Sequence, residues 1–404
     1  MIYSSDNTRT MKTKLPISEN AQEWIVAVIL FVMTNPFLLW FAPLNTIAVM
    51  LFYGVSLLYS APIKKKYRTG FLLLAIFYLL VAIRYGLELS MIYTMAVPIA
   101  FLIDKSFLCR CFDKFIKIFA VLITISLVVY VMVAILQLNL PYSHINPINS
   151  LKVEEGVYYD RYFMLLVDPA ERGFLTRFYG LYDEPGVVGT IVSVILVGNK
   201  FDFKKNKYLI PTFLAGFFSF SLFFYVVSIV SVFFNIRKSN IIYVLISIPI
   251  VLYALSFIPG VDILIYNRFL FEDGVWLGDS RTSDDFKLWF SKFTSTADFW
   301  LGLGPGANLL YNKGGASYKD LIVNYGILMF LMYILSLFIL IIRTKSTLRD
   351  IIVASVIIFG YVFQRPFITD VFMVLSIMYV LFNNKKMNTI SPKVDKQYGL
   401  QIVK

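Results

Sequence analysis

One histidine, His144, and two cysteines, Cys109 and Cys111, are all that 404 residues supply of the side chains that most often bind transition metals or build disulfide frameworks. That scarcity excludes a catalytic pair of histidines and a four-ligand Cys/His zinc cluster, and no His/Cys/Asp group has ligand spacing. The C-x-C pair alone is no metal site, and in a reducing cytosol both cysteines are expected as free thiols. His144, next to Asn and Pro in a loop, reads as a solvated residue. Charge is scarce as well: 15% of residues are Asp, Glu, Lys or Arg against 58% hydrophobic, far from the balance of a soluble domain. Short alternating strands of the membrane-barrel kind are missing. No small-residue cleavage site clearly follows the first apolar run, so that run is expected to stay as a membrane helix.

What the chain has is length in apolar runs. They recur from Trp24 to Phe382, and about 20 such residues cross about 30 Å of hydrocarbon as a helix. The expected fold is all-α: a polytopic integral membrane protein with about 11–12 transmembrane helices. Residues 1–23 form a cytoplasmic tail, 24–382 a single membrane domain, and 383–404 a second cytoplasmic tail. The spans fall roughly at 24–42, 44–60, 70–83, 88–103, 116–139, 184–199, 208–220, 221–235, 241–258, 317–342, 350–364 and 368–382.

The net charge of +12 points to no nucleic acid, because of where it lies. With the N-terminus inside, about two thirds of the basic residues fall in inside segments, the asymmetry that orients membrane proteins. Lys64, Lys65, Lys66 and Arg68 make one such group, and Lys200, Lys204, Lys205 and Lys207 another. Lys207 and Arg237 should share the inside face. The stretch 208–235 should therefore cross twice, as two short helices or a re-entrant pair, and such broken segments often line a polar cavity.

Two outside loops are long, at 140–183 and 259–316. Their aromatic and mixed-charge content is that of folded lids, not flexible linkers. Trp276, Trp289 and Trp300 suit amphipathic helices on the outer face. Within 284–293, Phe286, Trp289, Phe290 and Phe293 fall on one helical stripe, which reads as a buried or interfacial face.

The chemistry-bearing residues gather where the first long loop enters a helix, in Arg177-Phe-Tyr-Gly-Leu-Tyr-Asp183-Glu184-Pro185-Gly186-Val-Val-Gly189. Charged groups at a bilayer are retained when paired, hydrated or used. Pro185 suits a first helical turn, with Asp183 or Glu184 capping it and Arg177 pairing with them. Gly186 and Gly189 allow close approach of another helix. The alternative use is catalytic: a carboxylate as general base toward a sugar hydroxyl, with Arg177 on an anionic leaving group. Arg268 and Arg281 in the second loop can pair with neighbouring acids or grip a phosphate. Arg84 and Arg365 lie at the same membrane face, where an arginine either snorkels to the interface or adds to a cationic rim. The run Gly302-Leu-Gly304-Pro-Gly306 lacks the strand–helix frame of a dinucleotide loop and reads as a turn before Ser317.

In order, these pieces resemble the O-antigen polymerase (Wzy) family, of the O-antigen polymerase/ligase superfamily. The resemblance rests on about a dozen helices and on a large outside loop ending in Arg177-x-x-Gly180-x-x-x-Glu184-Pro185-x-x-x-Gly189. It continues through Arg281, through Phe299-Trp-Leu-Gly-Leu-Gly-Pro-Gly306, and through Ser317-Tyr-x-x-Leu321-x-x-x-Tyr325-Gly326-Ile327. It implies a metal-independent, cofactor-free glycosyltransferase of the bacterial inner membrane. That enzyme would join undecaprenyl-diphosphate-linked oligosaccharides on the periplasmic side, with a separate chain-length regulator as a partner. Ligases of the superfamily carry a histidine shortly before the helix that starts here near Ser317. This chain reads Lys313-Gly-Gly-Ala316 there, which favours polymerase. On this reading Arg281, helped by Arg177, Arg268, Arg84 or Arg365, holds the diphosphate, and Glu184 or Asp183 takes the proton. The rivals are a polysaccharide ligase and, from another class, a lipid-linked oligosaccharide flippase; a flippase predicts charges deep within helices and loops of more even size.

Overall fold

The computed structural model describes residues 18–40, 43–86, 88–148, 152–153, 156–171, 176–235, 271–272, 275–276, 284–307, 317–365 and 367–383. Both tails, the expected span 241–258, and Arg268 and Arg281 lie outside the described residues.

The chain is mainly helical: α1 (Glu19–Met33), α2 (Leu44–Leu58), α3 (Lys65–Ile83), α4 (Leu89–Ala96), α5 (Lys105–Tyr130), α6 (Pro185–Gly198), α7 (Leu209–Phe218), α8 (Leu222–Asn235), α9 (Asp284–Phe293), α10 (Asp298–Leu301), α11 (Tyr318–Thr344), α12 (Leu348–Gln364) and α13 (Val371–Phe382). Three helical stretches, Lys65–Ile83, Lys105–Ile135 and Tyr318–Thr344, are long and apolar enough to cross a membrane. The shorter apolar helices include α2, α6, α7 and α13. Leu57, Leu72, Leu79, Leu328, Leu331 and Leu335 are exposed. Apolar exposure on this scale suits lipid and not water. The fold is that of a helical membrane protein.

α5 is the centre. Asp104 caps its start by accepting from the Phe107 N–H at 2.8 Å. Leu108, Phe112, Phe115 and Phe119 recur at helical spacing and are fully buried, packing α5 against α1, α7 and α13. α13 is buried from Val371 to Leu381, as a helix apolar on every side must be when it sits inside a bundle. The 208–235 stretch does break: α7 ends at Phe218, and α8 starts at Leu222 after a turn in which Phe220 has φ 48°. Gly189 of α6 faces that turn. A Cβ there would stand 2.3 Å from the Ser221 Cβ, so the glycine does permit close approach.

The first long loop, expected as a folded lid, carries a three-stranded antiparallel sheet, β1 (Ser143–Ile145), β2 (Tyr159–Tyr162) and β3 (Leu165–Val167), in that order; one expectation in the second needs correction. Tyr159 and Tyr162 are buried while Arg161 faces out, and the Tyr, Leu and Val content suits strands. Strands of three or four residues are too short to show their period in sequence. Trp276, expected on a helix, lies in a two-residue strand, β5 (Val275–Trp276), paired with β4 (Phe271–Glu272). The aromatic stripe on α9 is as expected: Phe286 and Phe293 are buried, and Trp289 and Phe290 pack beside them.

α11 is broken at Gly326, where φ is 83°. The break frees the carbonyls of Val323 and Asn324, which accept from the N–H groups of Leu303 (2.8 Å) and Gly304 (3.0 Å). A Cβ on Gly326 would meet the Trp300 carbonyl oxygen at 2.4 Å. Gly326→Ala therefore combines left-handed strain with a backbone clash, a cost of at least ~2 kcal/mol. The expected outcome is a melting point in detergent several degrees below wild type; an unchanged melt would mean that the 301–304 segment is not held against α11.

Candidate active site

The segment 176–184 threads between the sheet and the helices. The Phe178 N–H donates to the Phe218 carbonyl (2.8 Å), the Leu166 N–H to the Gly180 carbonyl (3.0 Å) and the Phe37 N–H to the Leu181 carbonyl (2.8 Å). Gly180 has φ 57°, a bend open to glycine at no steric cost. Phe178, Tyr179, Leu181 and Tyr182 are buried, and the Tyr182 hydroxyl meets the Thr34 hydroxyl at 2.9 Å. This strap delivers Asp183 and Glu184 to the start of α6 with little freedom.

Pro185 occupies the first turn of α6, and Glu184 is the N-cap residue, yet its side chain makes no cap bond. Its carboxylate is held from two sides instead. Arg365 Nη2 donates to Oε2 at 2.8 Å and Lys152 Nζ to Oε1 at 3.2 Å. Lys152 also stands 3.6 Å from Asp183 Oδ2 and 3.2 Å from the Tyr159 hydroxyl, which donates to the Asp183 carbonyl at 2.8 Å. The expectation that Arg177 partners these carboxylates is thus corrected: their ion pairs are with Lys152 and Arg365. The reason is topological. β2 and the chain before it bring Lys152 over the strap, and the end of α12 brings Arg365 beneath it.

Asp183, Glu184 and Arg365 line a cavity of about 380 Å³, with Asn35, Trp40, Ile148, Val187, Tyr361 and Asp370 among its other walls; Lys152 holds the carboxylates from outside that lining. The volume lies in the usual range of small-molecule sites, roughly 300–1,000 Å³. Arg365 is only 8% exposed, and its buried Nε has no hydrogen-bond partner among the described residues. An unpaired buried donor of this kind costs ~1–3 kcal/mol. Asp370 is committed elsewhere: its Oδ1 accepts from the Phe372 N–H at 2.8 Å and caps α13.

The environment separates the two carboxylates. Burial pushes the Glu184 carboxyl up, but Arg365 and Lys152 outweigh it and bring the pKa down to about 2. Burial raises the Asp183 carboxyl; Lys152 opposes this and the Glu184 charge adds to it, with a net upward shift. Burial lowers the Lys152 ammonium, and Glu184 and Asp183 together raise it to a net upward shift. Glu184 is therefore a fixed anion that organises two cations, and Asp183 is the more basic carboxylate.

The other expected residues lie apart. Arg177 is not among the residues lining the cavity. Arg84, expected on the cationic rim, is corrected to a clamp: its guanidinium donates to the carbonyls of Leu301 and Gly302 and so pins the 301–304 segment to the end of α3. Lys152 and Tyr159 were missed in the sequence. A lysine in a polar loop carries no local mark, and only the sheet brings it to the strap.

Fold and site together define a helical membrane protein with a charged cavity at one end of its bundle. No family model, curated protein or solved structure matches the chain.

Proposed function

We propose that the chain is a polysaccharide polymerase of the O-antigen polymerase type. On this reading it is an inner-membrane glycosyltransferase that joins undecaprenyl-diphosphate-linked repeat units on the periplasmic face. About 11–12 spans place both termini in the cytoplasm and the Glu184 end of the bundle outside. The observation that carries the reading is the Arg365–Glu184 ion pair in the cavity wall, with Lys152 on the other carboxylate oxygen. A guanidinium binds the oxygens of a diphosphate in two-pronged fashion.

The donor's diphosphate lies against Arg365 in the cavity wall, with Arg281 and Arg268 as further candidate cations in the sequence. The terminal hydroxyl oxygen of a second lipid-linked unit attacks the donor's anomeric carbon. The bond from that carbon to the diphosphate oxygen breaks, and undecaprenyl diphosphate leaves with the electron pair. The hydroxyl proton passes to Asp183, the more basic carboxylate. Fixed cations stabilise the charge growing on the leaving group, and the folded loops exclude water that would otherwise take the donor.

The test is a gel of surface polysaccharide from the source strain with the gene deleted, beside the complemented strain. Collapse of the ladder to a single repeat unit is expected, since export and attachment still operate. Loss of even that unit overturns the reading: lipid-linked material accumulating outside would mean a ligase, and inside a flippase.

A further inference from the structure

The other end of α6 carries a second charged cavity that the polymerase reading does not use. It has a volume of about 830 Å³ and lies between α5 and the turn joining α6 to α7. Lys117, Lys200, Lys204, Lys205 and Lys207 line it, against only Asp113 and Asp202. Lys205 pairs with Asp202 at 3.2 Å. Lys200, Lys204 and Lys207 make no ion pair among the described residues.

The turn is built and not loose. The Lys200 N–H donates to the Val197 carbonyl and the Phe201 N–H to the Leu196 carbonyl, both at 2.9 Å, which closes the helix end. Asn199 Nδ2 donates to the Tyr379 hydroxyl at 2.9 Å, tying the turn to buried α13. Lys200 and Phe201 both have left-handed backbones, φ 53° and 54°. Two successive left-handed residues without glycine are strained, and such strain collects at ligand sites.

The depth of the cavity indicates its ligand. Lys117 Nζ is 6.0 Å from the ring centres of both Trp24 and Tyr208, and both rings are partly exposed. Part-exposed Trp and Tyr rings mark headgroup level in membrane proteins. Cationic pockets among helices at that level take anionic headgroups. We propose that this cavity binds the phosphate headgroup of an anionic phospholipid. The site is independent of the sugar chemistry at the opposite end of α6.

The test uses the full-length protein in nanodiscs of mixed phosphatidylglycerol and phosphatidylcholine, with retained lipids counted by native mass spectrometry. The wild type is expected to retain one phosphatidylglycerol with a preference of about tenfold or more; a single lysine at an anionic surface is worth about fivefold. The combined variant Lys200→Asn, Lys204→Gln, Lys207→Gln should fall to no preference; asparagine tolerates the left-handed backbone at 200. A control, Lys64→Gln, Lys65→Gln, Lys66→Gln, removes as many charges from another connection at the same end and should behave as wild type. Should the combined variant fail to fold, Lys204→Gln and Lys207→Gln singly should each lose about fivefold. The proposal is overturned if the cavity variants keep the preference, or if the control loses as much, which would mean diffuse attraction. It is overturned too if millimolar inorganic phosphate displaces the lipid, which would mean a site for a free anion.

Discussion

Arg365→Ala is expected to abolish polymer while the protein still accumulates in the membrane. The substitution removes one of the two cations that hold Glu184 and the only one of the two that lines the cavity. Loss of a fixed donor aimed at a leaving group costs about 100–1,000-fold in rate, enough to reduce a ladder of many units to one. The fold should survive. Breaking a fully buried ion pair costs ~3–5 kcal/mol, but Glu184 keeps Lys152 at 3.2 Å and its side chain is 36% exposed, so the loss should fall below that range. Arg365→Lys is the sharper control. It keeps the charge and loses the planar fork, so it should also make little polymer. The readouts are the polysaccharide ladder and an immunoblot of the membrane fraction. A ladder of normal length from a well-expressed Arg365→Ala protein would remove Arg365 from the chemistry.

Asp183→Asn should cost more activity than Glu184→Gln, although Glu184 is the more conspicuous residue in the sequence. A carboxylate at about 2 is a weak proton acceptor at neutral pH, whereas Asp183 is raised. Removal of a general base costs about 100–10,000-fold, and that is the loss expected for Asp183→Asn. Glu184→Gln leaves both cations present but less firmly placed, so a smaller loss is expected, expressed largely in substrate binding. The pH profiles separate the roles. Wild-type activity should fall on acidification as Asp183 takes up a proton. The Glu184 charge helps to raise Asp183, so Glu184→Gln should move that acid limb to lower pH, and Asp183→Asn should remove it. Equal losses with unshifted limbs would return both residues to a structural role.

The same shift fixes the sign of the site's contribution to stability. The Glu184 carboxyl lies below its unfolded value of about 4.3. Its contribution is complete above that value and is lost as pH falls toward about 2. Acid should therefore loosen the hold on Arg365 and Lys152 only well below the range in which Asp183 governs activity.

How much of this was legible in the sequence differs from element to element. Periodic apolar runs located α11 and α13 to within a few residues at each end, because burial or lipid exposure of long stretches leaves a dense local pattern; α5, expected at 116–139, starts earlier, at Lys105, because its first turns carry charges. The break between α7 and α8 was legible from charge alone, since Lys207 and Arg237 both seek the same side of the membrane. Pro185 announced the start of α6. The β1–β3 sheet was hidden because its strands are short. The kink at Gly326 was hidden inside an unbroken apolar run.

The candidate site divides in the same way. Composition determined that the protein belongs in a membrane and, with one histidine and two cysteines, that a pair of histidines is excluded. Local order determined that Asp183 and Glu184 stand at a helix start. Only the tertiary structure decided which cations meet them. Lys152 and Arg365 lie 32 and 181 positions from Glu184, and nothing local to either marks it as the other's neighbour. Arg177 and Arg84, closer to expectation in sequence, are placed away from the cavity, Arg84 by carbonyls freed at the end of α10. Ion pairs are set by distance in space, and distance in space is fixed by the packing of helices whose order along the chain does not reveal it.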